Sequence, residues 1–245
     1  MKILVSGLNG HMGKEVAKLC EAGVRGAVLS GGVDINAEKD GTFCVPSFDL
    51  ATKEIDCIID FSHHSLTDEL TAFAAENGIP CVIATTGQTE EELAALRKAS
   101  EVIPVFYSAN MSFGIALLIE LAKKCAIAMP EAEIEIIEKH HDRKLDAPSG
   151  TALAIAKGIQ EVRPEAELNI GRSGQAKRTQ TEIGISSIRM GNIVGEHEVM
   201  IGTPNQTITL KHEAHSRALF AEGALAAAAF LIGKPAGLYG MKDLV

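Results

Sequence analysis

The chain has 245 residues, of which 46% are hydrophobic, enough for one sizeable core or two modest ones. A formal charge of −9 argues against nucleic acid as the main partner, because phosphate binding needs a basic surface. Aromatics make up only 4%, tryptophan is absent, and Gly and Ala are abundant, which suits close helix-on-sheet packing of α/β type.

The chain opens on Lys2-Ile3-Leu4-Val5, an apolar run too short for the core of a secretion signal. Ile3–Ser6 reads as a strand, and His11–Ala22 as a helix with Val16, Leu19 and Cys20 on one face. Ala27–Asp34 is a second strand, and Ile55–Phe61 a third, nearly all apolar as a strand buried on both faces should be. Leu66–Asn77 is a helix ended by Gly78, followed by the strand Pro80–Ala84. Glu90–Ser100 is a helix with acids at its start and bases near its end, and Val102–Tyr107 is a strand. Repeated β-α-β units predict a Rossmann-type doubly wound parallel sheet with right-handed crossovers.

After Asn110 the rhythm changes. Ile115–Met129 is a long helix, and the mostly alternating Glu133–Glu138 predicts a strand with one wet face, running on to Lys139. Strand-like runs follow at Glu182–Met190, Glu198–Ile201 and Thr207–Glu213, with a helix at Thr151–Gln160. This half reads as an α+β domain on a mostly open sheet. Gly171–Lys177 is the expected mobile loop. The last helix, Arg217–Ile232, is Ala-rich and apolar enough to be buried against the first domain, and its apolar stretch is too short to span a bilayer. The expected domains are 1–111, joined by 217–245, and 112–216. Five cysteines (Cys20, Cys44, Cys57, Cys81, Cys125), never spaced C-x-x-C, predict neither a disulfide framework nor a thiolate zinc site, and fit a reducing cytoplasm.

Gly7-Leu8-Asn9-Gly10-His11-Met12-Gly13 lies between the first strand and the first helix. Glycines there allow a tight turn and close approach of backbone to a pyrophosphate, which sits on the N–H groups opening the helix. The spacing is G-x-x-G-x-x-G, a weak motif alone, strengthened by its strand–helix context and by Asp34 about twenty residues on. An acid at that position accepts hydrogen bonds from ribose hydroxyls. Thr85-Thr86-Gly87 and Ser108-Ala109-Asn110-Met111 close two further strands at the same sheet edge and are expected to face the nicotinamide half of a dinucleotide.

Glu138-Lys139-His140-His141-Asp142-Arg143-Lys144-Leu145-Asp146-Ala147-Pro148-Ser149-Gly150-Thr151 concentrates titratable groups after a strand. Ser149-Gly150-Thr151 opens the next helix, where free N–H groups and hydroxyls make a carboxylate receptor. Histidine offers acid–base chemistry near neutral pH, and lysine a cation for an anionic substrate. The competing reading is a solvated charged loop. No metal site is expected: adjacent side chains on extended backbone point to opposite faces, so neither His140 with His141 nor His63 with His64 would share an ion. His63-His64 reads as loop chemistry after the third strand.

The run His140-His141-x-x-Lys144-x-Asp146-Ala147-Pro148-Ser149-Gly150-Thr151-Ala152 resembles the signature of the dihydrodipicolinate reductases. The likeness extends through Gly7–Gly13, Thr85-Thr86-Gly87, Ala109-Asn110, Arg189-x-Gly191-Asn192-Ile193-Val194-Gly195-Glu196-His197 and Ser216-Arg217, essentially the whole chain. The resemblance implies NADH or NADPH in the N-terminal Rossmann domain, to which the C-terminal helix returns. It implies a cyclic dicarboxylate in the intervening domain, which also forms the interface of a homotetramer. It implies hydride transfer to 4-hydroxy-tetrahydrodipicolinate with loss of water, giving tetrahydrodipicolinate on the diaminopimelate route to lysine. By the same resemblance His140 and Lys144 take the acid–base and proton-donor roles, and His141, Gly150 and Thr151 contact substrate.

Two positions depart from many of these relatives. Ala84 replaces a glycine before Thr85-Thr86, adding a methyl group beside the cofactor without excluding it. Ile35 follows Asp34 where some relatives carry Arg, a partner for the 2′-phosphate of NADPH. NADH is therefore expected to be favoured by KM, with Lys39 and His11 as the cations that could offset Asp34. Two rival readings remain open at this stage: another two-domain Rossmann dehydrogenase of amino-acid metabolism, and a non-enzymatic dinucleotide sensor, although no basic output helix is visible.

Overall fold

The computed structural model describes residues 1–38, 43–52 and 54–245. They form two compact units, Met1–Ser112 with Arg217–Leu244, and Phe113–Ser216 with Val245. In chain order the first run of elements is β1 (Lys2–Ser6), α1 (His11–Glu21), β2 (Val28–Val33), β3 (Cys44–Val45), β4 (Cys57–Asp60), α2 (Thr67–Glu76), β5 (Cys81–Ile83), α3 (Glu90–Ser100) and β6 (Pro104–Tyr107). Then come α4 (Phe113–Ala128), β7 (Glu133–His140), α5 (Gly150–Gln160), β8 (Glu167–Ile170), β9 (Glu182–Arg189), β10 (Gly195–Thr203), β11 (Gln206–Ala214), α6 (Ala218–Leu231) and β12 (Gly237–Tyr239).

The first unit is a seven-stranded sheet in the order β12-β6-β5-β4-β1-β2-β3, parallel throughout. Its central strands are apolar because both faces are covered: every residue of β4 and β5 is buried. Of the apolar stripe on α1, Val16 and Cys20 are buried, while Leu19 is only half-buried. α3 starts with a capping box, in which the Thr89 hydroxyl accepts from Glu92 N–H and the Glu92 carboxylate accepts from Thr89 N–H. α1 differs: no side chain caps it and no acid occupies its first turn, so its leading N–H groups stay available to an anion.

The second unit is a five-stranded mixed sheet, β11-β10-β7-β9-β8. β7, β9 and β8 run parallel, and β10 is antiparallel to both β7 and β11. One face meets α4 and α5 through a core that includes Leu118, Ile134, Ile136, Ile155, Ile185 and Val199. β7 alternates strictly, with Ile134, Ile136, Glu138 and His140 inward. Three short strands have no counterpart in the sequence reading: β3 and β12, of two and three residues, and the exposed edge strand β8. None carries an apolar alternation long enough to signal itself. Gly171–Lys177 is an exposed irregular segment. Among the described residues no helix is long and apolar enough to cross a membrane.

α6 belongs to the first unit and packs on α1 and on β4, β5 and β6. Gly223 permits this approach: a Cβ there would lie 1.7 Å from the Met111 carbonyl oxygen. In an exposed helix Gly→Ala gains about 1 kcal/mol, whereas overpacking costs typically about 1–3 kcal/mol. Backbone cannot yield as a side chain can, so the clash should win. Gly223→Ala is expected to lower the melting temperature by several degrees in calorimetry; an unchanged or raised value would show that the helix has room to shift.

Candidate active site

In the first unit the chain leaves β1 through α1 to β2 and β3, then crosses to β4 on the other side of β1. Such a reversal opens a crevice at the carboxyl ends of the flanking strands, where ligands of doubly wound sheets bind. The loop Gly7–Gly13 fills this position. Gly7 has φ +80°, and a Cβ on it would lie 2.7 Å from the Phe61 carbonyl oxygen. A Cβ on Gly13 would lie 2.1 Å from the Gly7 oxygen, so neither position takes a side chain without moving backbone. Gly10 N–H closes the turn onto Gly7 O at 3.0 Å, and His11 and Met12 begin α1. Leu8 is buried against Gly32.

Asp34, just past β2, is buried, and its two carboxylate oxygens accept Asn9 N–H at 3.0 Å and Asn36 N–H at 2.9 Å. Each oxygen retains acceptor capacity, which suits hydroxyl donors and opposes a phosphate. The uncapped helix start, the glycine cradle and this fixed carboxylate together fit the pyrophosphate and ribose of a dinucleotide. Ile35 is 70% exposed, His11 is exposed, and Lys39 lies outside the described residues.

Asp60 ends β4 and is likewise buried. It accepts the Ser62 hydroxyl at 2.5 Å and Ser62 N–H at 3.2 Å, with the hydroxyls of Ser6 and Thr85 beside it. Burial pushes its pKa up, and the hydroxyl contacts oppose that rise. One carboxylate thus ties together the ends of β1, β4 and β5. Above it a cavity of about 280 Å³ is lined by Phe61, Ser62, His63, His64, Ala84, Thr85 and Thr86. His63 and His64, expected as loop residues after the third strand, lie on this lining. Their rings stack at 4.2 Å, and His64 Nδ1 lies 2.9 Å from the Glu92 carboxylate. After β6 the Ser108 hydroxyl donates to Asn110 O at 2.8 Å, and Ser112 N–H donates to Asn110 Oδ1 at 2.9 Å. Ala109 is exposed and Met111 is buried.

In the second unit the titratable run after β7 is organised around Glu138, which has no exposed surface. Arg189 on β9 donates to both its oxygens, at 2.9 and 2.7 Å. His140 Nδ1 lies 2.6 Å from Oε2, and Ser149 N–H donates to Oε1 at 3.1 Å. Burial alone would raise the Glu138 pKa, but Arg189, Ser187, His140 and Ser149 N–H outweigh it and hold the carboxyl down to about 2. His140 is buried and has its pKa lowered by burial, which Glu138 opposes. With an anion at Nδ1, the Nδ1–H tautomer is the favoured neutral form, leaving Nε2 as the nitrogen with a free lone pair.

His197 on β10 packs edge to face on His140 at 5.2 Å, and its Nε2 lies 3.1 Å from the Ser149 hydroxyl. Ser149 caps α5 by accepting Ala152 N–H at 3.2 Å, so its hydroxyl proton is directed at His197 Nε2. Burial first, then the neighbouring His140, lowers the His197 pKa to about 4. Gly150 begins α5 with open space beside it, and Thr151 follows. Lys144 Nζ pairs with Asp146 Oδ1 at 2.8 Å, and Gly150 N–H also donates to that carboxylate. β7 ends at His140, so His141 leaves the strand half-buried, its Nδ1 enclosed without a hydrogen-bond partner.

All five residues expected at the substrate and catalytic positions, His140, His141, Lys144, Gly150 and Thr151, thus fall on one strand end, loop and helix start. Glu138, Arg189, His197 and Asp60 are not among the site residues expected from sequence. The usable signal was parity: Glu138 and His140 share the inward phase of Ile134 and Ile136.

Models of the dihydrodipicolinate reductase N-terminus and C-terminus match residues 1–111 and 114–245. The chain belongs to the dihydrodipicolinate reductase family. A 4-hydroxy-tetrahydrodipicolinate reductase of Caldanaerobacter subterraneus subsp. tengcongensis is 47% identical over 247 residues, covering 100% of this chain and 98% of that one. One from Clostridium novyi is 41% identical, with the same coverage. The dipicolinate-bound dihydrodipicolinate reductase from Paenisporosarcina sp. TG-14 superposes with a TM-score of 0.84 at 25% identity, covering 100% and 99% of the two chains. The family is one of oxidoreductases, and membership disfavours the sensor reading.

The buried histidine sets a pH dependence of stability. The folded-state pKa of His197, about 4, lies below the ordinary value of 6.5, so protonation favours unfolding. Its contribution is complete above pH 6.5 and is lost as pH falls through 4, about 3 kcal/mol in all. His197→Asn is expected to flatten the fall in melting temperature between pH 6.5 and pH 4.5, above the range where Glu138 adds its own loss. A variant with the parent's slope would show that His197 is not the group being protonated.

Proposed function

We propose that the chain reduces 4-hydroxy-tetrahydrodipicolinate to tetrahydrodipicolinate with NADH or NADPH, on the diaminopimelate route to lysine in the cytoplasm. The observation that carries this reading is the Glu138–His140 pair beside the start of α5, in a chain of this family. Residues 1–111 with 217–245 act as the dinucleotide domain, and 112–216 as the substrate domain and the interface of a homotetramer. Free thiols at all five cysteines suit a reducing compartment.

A bound nicotinamide would supply the hydride, and the substrate's hydroxyl leaves as water. The backbone of Gly7, Leu8, Asn9, Gly10, His11 and Met12 would hold its pyrophosphate, and Asp34 its adenosine ribose. Ala84, Thr85, Thr86, Ser108, Ala109, Asn110 and Met111 line the nicotinamide end. His141 and the start of α5 at Gly150 and Thr151 receive a substrate carboxylate, which takes the Gly150 N–H over from Asp146, as a helix start favours anions. Lys144 leaves Asp146 for the second charge of the substrate and serves as proton source. His140 exchanges protons through Nε2, with Glu138 stabilising the imidazolium when it forms.

Oxidation of reduced nicotinamide is expected only when the cyclic dicarboxylate is supplied; dinucleotide binding without that dependence would defeat the reading. His140→Ala and Lys144→Ala should chiefly lower kcat, each by about 10²–10⁴-fold, and Thr151→Val should chiefly raise KM. NADH should be preferred, because Asp34 repels a 2′-phosphate by about 4 kcal/mol per unit pair at 4 Å before screening. Ile35 supplies no cation in return. A higher kcat/KM with NADPH would reverse that preference, and Ile35→Arg should move the ratio toward NADPH. Light scattering should give the mass of four chains.

A further inference from the structure

Glu138 holds more of this site than its neighbours do. Its Oε2 faces His140 Nδ1 at 2.6 Å, and its Oε1 accepts the N–H of Ser149, the residue that caps α5, at 3.1 Å. Arg189 crosses from β9 to reach both oxygens and also donates to the Asp146 carbonyl at the base of the loop carrying Lys144. A single carboxylate therefore joins the proton-exchanging ring, the start of the anion-receiving helix and the lysine loop.

Stability alone does not account for this ion. Replacing a buried ion pair by well-packed apolar residues is often neutral or stabilising, and β7 already places isoleucine at the two preceding inward positions. The charge has instead a local electrostatic task. The groups facing His140 are Glu138 on its own strand, Arg189 from β9, His197 from β10 and Lys144 from the following loop, with His212 on β11 beyond His197. Glu138 is the one anion in that set. A Cβ on Gly195 would lie 3.1 Å from His140 Nε2, so the ring's outer nitrogen also depends on a glycine for space.

We propose that Glu138, clamped by Arg189, is the positioning residue of the active site: it fixes the Nδ1–H tautomer of His140 and sets that ring in register with the start of α5. The inference rests on the reading that His140 exchanges protons with a dicarboxylate. Without the anion, Arg189, Lys144 and His197 would all oppose charging the ring, and nothing would select its tautomer.

The test combines kinetics with NMR of protein labelled with ¹⁵N-histidine. The wild-type spectrum should show neutral His140 protonated on Nδ1. In Glu138→Gln its titration midpoint should fall by about one to three units, the effect of removing an opposite charge within hydrogen-bonding distance. The kcat limb governed by His140 should move to lower pH by the same amount. Glu138→Gln in a His140→Ala background should cost no further kcat, because the two act as a unit. A proton on Nε2 in the wild type, an unmoved titration, or additive losses in the double variant would each overturn the proposal. If Glu138→Gln does not fold, Glu138→Asp replaces it: one methylene shorter, its carboxylate draws back from Nδ1, so the same fall in midpoint is expected at smaller size and an unmoved midpoint counts against the proposal. If the wild type turned over no cyclic dicarboxylate, the proposed function would fall by that assay alone. The NMR titration would still decide whether Glu138 governs His140.

Discussion

A carboxylate with no exposed surface, on the inward face of a strand, stays ionised only where every oxygen meets a donor. Glu138 satisfies that condition through a guanidinium from β9, a histidine two residues along its own strand and the backbone N–H opening α5. Each donor belongs to a different element, so the geometry of the second unit's reactive end follows from one charge. β7 must extend to His140, β9 must run parallel beside it to deliver Arg189, and α5 must begin at Gly150, behind the Ser149 N–H. The antiparallel strand β10 then brings His197 opposite Glu138 in register, where it meets the Ser149 hydroxyl.

The first unit uses the same device at the end of β4 and just past β2. Asp34 holds two backbone N–H groups of the loops around it, and Asp60 holds the Ser62 N–H after β4. In each case a short acid at a strand end converts flexible loop into fixed geometry without extending the sheet. What differs is the remaining capacity. Asp34 keeps free acceptor positions, whereas Asp60 takes two hydrogen bonds from Ser62 among the nearby hydroxyls of Ser6 and Thr85.

Most of this architecture was legible because its signals are local and periodic. The doubly wound sheet showed in alternating apolar runs and helix caps, and the glycine loop in its place between strand and helix. Strands β3 and β12 escaped because a two- or three-residue segment has no period, and β8 because an exposed edge strand lacks the apolar half of one. The histidines and lysine of the site were legible as chemistry. Glu138 was not, since a glutamate in a charged run looks solvated; only the inward phase of Ile134 and Ile136 marks it. Arg189 and His197, about fifty residues further on, are joined to it by strand pairing, a relation that no local pattern records.

Asp60 and Glu138 show why burial alone does not predict the state of an acid. Both are nearly or wholly inaccessible, and burial raises the pKa of each. Asp60 meets hydroxyls and one N–H, neutral donors that recover only part of its lost hydration, and its pKa remains raised. Glu138 meets a guanidinium, which supplies opposite charge as well as two hydrogen bonds, and its pKa falls to about 2. Around Asp60 the group that feels its charge is the buried Cys81 thiol, held well above the usual thiol range by burial first and then by Asp60. At Glu138 a proton would leave the half-buried Arg189 without its counterion and His140 without its anion. The acid that organises the reactive end is thus the one whose charge the fold secures most firmly.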